Sequence, residues 1–152
     1  AAEAAVSPQT VYNAIGGKAD VVKAVYDAMM AGDDAHIAMS DRPQFRAMFE
    51  AADRPAFARA YAAWVRMLSG RVGPLLGALQ AHGADAAVTH LMGVIDQERY
   101  TGTTHAMTGL RDRIGLPSRW GGRRGLGRLI DAAWTLNSPE VYDRLVRRRH
   151  DD

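Results

Sequence analysis

Apolar side chains recur three and four residues apart along almost the whole chain, and no stretch alternates apolar with polar in steps of two. The first spacing lines one face of a helix, whereas a half-buried strand needs the second, so packed helices are the expected fold. Residues 18–31 illustrate it, with Val21, Val22, Val25, Tyr26 and Met29 on one side of an amphipathic helix. At 152 residues and 47% hydrophobic content the chain can bury a core as one domain, or as one with a small domain attached. No fixed-period repeat points to a solenoid.

Glycine and proline divide the pattern. Ser7-Pro8 opens a short helix that should stop near Ile15, at Gly16-Gly17. Gly32 is a C-terminal stop, and Pro43 begins a short following helix. A long helix should start near Pro55, with Phe57, Tyr61, Trp64 and Leu68 at helical spacing, and be kinked or broken at Gly73-Pro74, because proline lacks a backbone donor. Residues 75–81 continue beyond it. A second long helix is expected over 86–114, ended by "GLPSRWGG", and two closing helices over 126–136 and 138–148. Ser138-Pro139 repeats the Ser-cap, Pro-first arrangement of the opening.

Several classes are disfavoured. The longest uncharged run, residues 4–17, is polar and shorter than the roughly 18 apolar residues of a membrane span, and nothing resembles a signal peptide. With no cysteine there are no disulfides, thiolate metal sites or cysteine nucleophiles, which fits a reducing compartment, and the expected setting is the cytoplasm. His82, His90 and His105 with Asp85, Asp96 and Glu98 supply acid-base and metal-ligand groups in principle. No two histidines have the spacing that puts both on one helical turn, and no nucleophile elbow or phosphate-binding glycine loop appears. No catalytic residue, metal or cofactor is therefore expected.

Charge points away from the opening helix. Residues 111–150 hold ten arginines against four acids, whereas residues 1–40 hold two lysines against five acids. The arginines of "RLVRRRH" read as a solvated helix end whose cations favour the C-terminal dipole. The opening stretch has another qualification. "AAEAAV" must turn sharply before Ser7, and two helices joined so tightly, the second short and polar, have the layout of a helix-turn-helix. Gln9 and Asn13 can pair with adenine edges, Thr10 can touch a thymine methyl and Tyr12 can reach a phosphate, while Val6, Val11 and Ile15 would face inward. An ordinary capped connector helix would have the same pattern.

The segment "VSPQTVYNAIGGKADVVKAV" resembles the second half of the DNA-binding domain in the tetracycline-repressor (TetR) family of bacterial transcriptional regulators, with Thr10, Tyr12 and Lys18 on matching positions. "DAAWTLNSPEVYDRLV" is similar to the closing segment of such regulators. The resemblance implies that Tyr12 and Lys18 grip phosphates, beside Ser7, Gln9, Thr10 and Asn13. It also implies an all-α protein: a partial helix-turn-helix domain over 1–18, then a helical ligand-binding and dimerisation domain over 19–152. The family usually has Gly where Ala5 stands and His-Phe or a similar pair where Ala14-Ile15 stand. It begins with a long helix absent before Ser7, so the sequence is expected to be a piece of a longer chain, stopping short of a last helix as well.

The same resemblance implies a function. The chain reads as a ligand-responsive DNA-binding regulator, a homodimeric repressor released from a double-stranded operator by a small hydrophobic effector, with the helix over 18–31 linking pocket to DNA. Pocket candidates are Trp64, Met67, Leu68, Met92, Ile95, Met107 and Trp134, any of which could instead be plain core. Glu98 and His105, where the apolar stripe turns ionisable, could fix a ligand's polar group, pair with arginines or reach water. The dimer interface is expected on residues 126–146, whose two apolar faces leave no chain to cover both. The alternative is a helical small-molecule-binding or protein-interaction module without DNA binding.

Overall fold

The computed structural model describes residues 7–33, 35, 37–81 and 85–147; His82 and the expected first helix of the helix-turn-helix lie outside them. Every regular element among the described residues is helical: α1 (Pro8–Ile15), α2 (Lys18–Ala31), α3 (Pro43–Ala47), α4 (Arg54–Ala81), α5 (Ala86–Arg113), α6 (Ser118–Gly121), α7 (Arg123–Leu136) and α8 (Pro139–Tyr142). Single 3-10 turns flank α3, and α8 widens into a π turn over Asp143–Arg147. None of these helices is long and apolar enough to cross a membrane.

The helix ends follow from local chemistry. Ser7 and Ser138 each accept a hydrogen bond from the backbone N–H three residues on, at Thr10 (3.1 Å) and Val141 (3.3 Å), with proline at the first helical position in both. Asp53 and Asp85 cap α4 and α5 in the same way, through Ala56 N–H (2.7 Å) and Ala87 N–H (2.8 Å). Gly32 ends α2 at φ 72°, a left-handed conformation that an L side chain rarely adopts. Arg71 of α4 fills the space beside it and donates Nη1 to the free carbonyls of Met30 (3.2 Å) and Ala31 (3.3 Å), so the end of α2 is tied to α4.

Three boundaries differ from expectation. α4 runs unbroken through Pro74, with Val72, Leu76 and Leu79 buried on both sides of it, and the residue whose carbonyl the proline ring crowds is Gly70. Tyr142 of α8 lies along Gly70 and Gly73, at a distance where a Cβ on either would make ordinary contact with it. α7 begins at Arg123 rather than near 126, because Gly125 lets its first turn lie against the backbone of Arg119 and Trp120; a Cβ there would meet Trp120 Cα at 2.6 Å. α8 ends at Tyr142 instead of continuing as α-helix to 148.

α4 and α5 run antiparallel, since Tyr61 meets Thr103 near one end and Leu79 shares a cluster with Leu91 near the other. The core between them is split. One cluster joins Phe45, Met48, Phe57, Trp64, Met107, Leu110, Leu126 and Ile130; the second joins Tyr26, Val72, Leu76, Leu79, Leu91 and Ile95. Leu126 and Ile130, expected to remain for a dimer partner, are thus part of the chain's own core, because α7 packs on α5. Leu136, 70% exposed, and Leu145, 55% exposed, remain uncovered on the closing segment.

Candidate functional site

Between the two clusters lies a cleft of about 620 Å³, within the range that encloses a small organic ligand. α2 forms one wall with Tyr26, Asp27, Met30 and Ala31. α4 supplies Tyr61, Trp64, Leu68, Val72 and Leu76; α5 supplies Gln97, Glu98, Arg99, Thr101, Gly102 and Thr103; the segment before α3 supplies Ile37, Ala38 and Met39. That segment is anchored by Arg42, only 6% exposed, whose guanidinium grips both oxygens of Asp33 (2.6 and 3.0 Å) and the Ala35 carbonyl (3.3 Å). The hydrogen bonds from Arg42 hold the Asp33 carboxyl below the usual carboxylate range.

A polar chain crosses the cleft where α4, α5 and the end of α7 meet. Asn137, just past α7, donates Nδ2 to the Tyr61 hydroxyl (2.8 Å) and to Thr103 Oγ1 (3.0 Å). Its Oδ1 accepts from Arg99 Nη2 (2.8 Å), which also donates to the Trp134 carbonyl (3.1 Å). Arg99 Nη1 is paired with Asp96. Asn137 therefore joins α4, α5 and α7 by side-chain bonds alone, and removing it would leave three partners short.

At the rim, Lys23 of α2 is paired with Asp27 (2.6 Å) on its own helix and with Glu98 (3.0 Å) on α5. Burial works against the lysine charge, yet these hydrogen bonds and charges outweigh it and raise its pKa above the ordinary value. Burial, and then the charge of Glu98, push the Tyr26 phenol up to about 12.

The expected ligand residues do not share one site. Trp64, Leu68 and Glu98 line the main cleft. Met92, Ile95 and Trp134 line a second cleft of about 370 Å³, and Leu76 and Arg99 border both. The indole N–H of Trp134 is buried without a partner among the described residues. Met107 is core, and Met67 packs against the same cluster. His105 is exposed and sits against the rings of Phe45 and Phe49. Tyr61, Arg99, Thr103 and Asn137 had no place among the expected site residues. Arg99 and Thr103 stand four apart on one helix, a visible signal, but no spacing ties either to Asn137 or Tyr61.

α1 is exposed at Ser7, Gln9, Thr10, Asn13 and, just beyond it, Lys18. The groups expected to read bases are occupied by one another: Gln9 Nε2 donates to Asn13 Oδ1 (2.9 Å), and the Thr10 and Ser7 hydroxyls bond at 2.8 Å. Ile15, expected to face inward, is 46% exposed; among the described residues α1 packs chiefly on α2. Val6 and the side chains of Val11 and Tyr12 lie outside the described residues. The joint to α2 is defined in detail. Gly16 has φ 117°, the Asp20 carboxylate occupies the space a side chain there would need, and the same carboxylate accepts from Gly17 N–H (2.8 Å).

Among the described residues no three His, Cys, Asp or Glu side chains gather as metal ligands would. Compared with family models, curated proteins and solved structures, the chain matches none.

Proposed function

We propose that the chain is a ligand-responsive, DNA-binding transcriptional regulator of the tetracycline-repressor type, acting in the cytoplasm as a homodimer and releasing its operator when a small, mostly apolar molecule fills the main cleft. One observation carries the reading: α2 is a wall of that cleft and also follows α1 after only Gly16-Gly17. A ligand that shifts α2 therefore shifts the helix bearing Gln9, Thr10 and Asn13. The joint favours transmission, since Asp20 fastens Gly17 and fills the space beside Gly16. In this reading Gln9, Thr10 and Asn13 read base edges, Ser7 caps the helix, and Tyr12 and Lys18 hold phosphates. No catalytic role is assigned.

The test is selection of duplexes from a random pool by the chain, followed by affinity measurements on variants. Lys18→Ala and Tyr12→Phe should weaken all duplexes alike, whereas Gln9→Ala and Asn13→Ala should change base preference. Failure to enrich any duplex overturns the DNA part and leaves a helical small-molecule-binding module.

A further inference from the structure

We propose that the corner formed by α6 and the first half of α7 binds the phosphate backbone of nucleic acid, without reading its sequence, through Arg119, Arg123, Arg124 and Arg128. This surface is separate from α1 and does not rest on the regulator reading.

Residues 113–130 hold five arginines and no acid. Arg119, Arg123, Arg124 and Arg128 are exposed, and among the described residues no carboxylate lies within ion-pair distance of any of them. Asp131 is the one acid on α6 and α7, against these four arginines. The helices packed around the corner add none that is free. α4 has no acid; on α5, Asp96 is paired with Arg99, Glu98 with Lys23 and Asp112 with Arg111, and Glu140 of α8 accepts from Gln80. Helix stability does not account for the arginines either. Arg123 and Arg124 occupy the first turn of α7, where the helix dipole disfavours cations and no acid offsets them.

The corner presents the four side chains on a fixed frame. Gly125 lets the first turn of α7 lie against the backbone of Arg119 and Trp120, and the Arg128 guanidinium sits 5.9 Å from the centre of the Trp120 ring. Arg124 and Arg128, one turn apart, share the face of α7 opposite the buried Leu126 and Ile130. Those two pack with Met107 and Leu110 toward the end of α5, whereas α2, which carries α1, packs with Leu91 and Ile95 toward its beginning. At 1.5 Å per residue, about 18 Å of helix separates Ile95 from Met107, so the two surfaces are distinct.

The chemistry selects phosphates. Guanidinium forks match phosphate oxygens two at a time, and a duplex offers one negative charge per about 1.7 Å of its axis. An anionic membrane would need apolar side chains to insert beside the cations. The exposed large apolar side chains among the described residues, such as Leu136 and Leu145, all fall outside residues 111–130.

The test is fluorescence anisotropy of a labelled duplex of scrambled sequence, titrated with the chain between about 50 and 200 mM salt. Arg124→Gln with Arg128→Gln should reduce the slope of log affinity against log salt by about 2 and weaken binding at the lowest salt by at least about tenfold. Arg59→Gln with Arg66→Gln, on the exposed face of α4, removes the same charge and should cost less than about twofold. Arg124→Lys with Arg128→Lys keeps the charge and should keep the slope. All of these side chains are exposed, so thermal unfolding should not change. Equal losses from the two Gln pairs, loss in the Lys pair, no binding of the duplex, or tighter binding to phosphatidylserine vesicles than to duplex overturns the assignment. A reduced slope in the first Gln pair, with no duplex enriched by sequence, overturns the regulator reading alone; sequence selection with an unchanged slope in that pair overturns this assignment alone.

Discussion

α1 and the main cleft are built in opposite ways. α1 is convex, polar and exposed, and its side chains bond to near neighbours in sequence, as Gln9 does to Asn13. The cleft is concave and aromatic, and its polar chain joins residues as far apart as Tyr61 and Asn137. The contrast teaches where each surface gets its shape. The geometry of α1 is local, set by Ser7, Pro8 and the two glycines after Ile15, whereas that of the cleft depends on the packing of α2, α4, α5 and α7. Damage to the core should therefore reach the cleft first and spare α1.

The largest separation should come from Phe57→Ala against Gln9→Ala. Phe57 is almost wholly buried, so its truncation should cost about 3–5 kcal/mol in urea unfolding. Gln9→Ala, on an exposed face, should stay within about 0.5 kcal/mol. Comparable losses would break the contrast.

Asn137→Ala comes next. It strips partners from Tyr61, Thr103 and Arg99 and should lower stability by about 1–2 kcal/mol, less than a sealed site would lose because the cleft admits water. Cleft binding should weaken along with it; unchanged stability and unchanged binding would show that the polar chain does not shape the cleft.

The two serine caps sharpen the comparison further, because they are chemically alike and sit in unlike surroundings. Ser138→Ala should reduce global stability by about 1 kcal/mol, while Ser7→Ala should raise amide exchange in α1 alone. A global loss from Ser7→Ala would mean that α1 is integral to the core.

The smallest expected effect is the response to acid. The Asp33 carboxyl is lowered below its ordinary value of 3.8, so its grip on Arg42 is fully present above that value and is lost as pH falls below it, through the lowered value. Amide exchange of the segment before α3 should rise there before the long helices open. Asp33→Asn should remove that early step, and an unchanged step would assign it elsewhere.

Much of the fold is legible in the sequence, because helix ends are written in neighbouring residues. Pro8 to Ile15 and Lys18 to Ala31 match their expected bounds, and Asp85 and Gly32 act within a turn of where they stand. Pro74 does not break α4, one of the two outcomes expected there, since the cost of a proline inside a helix is local while the burial of Val72, Leu76 and Leu79 that holds the helix together is tertiary. The same limit applies to the cleft. Trp64, Leu68 and Glu98 emerge from a helical stripe, yet that stripe cannot show that Met107 and Met67 belong to core packing. Nor can it show that Met92 and Trp134 face a second cleft, or that Asn137 reaches Tyr61, since 76 residues separate the last pair.

The central claim is that α2 carries cleft occupancy to α1. It is tested most directly by titrating a panel of small apolar compounds into the chain by tryptophan fluorescence, then measuring affinity for a selected duplex with and without a saturating binder, together with the affinity for that binder with and without duplex. Coupling through α2 should change both by the same factor, between about 5- and 150-fold. Saturation of the tryptophan signal with identical duplex affinities in the two conditions would contradict it.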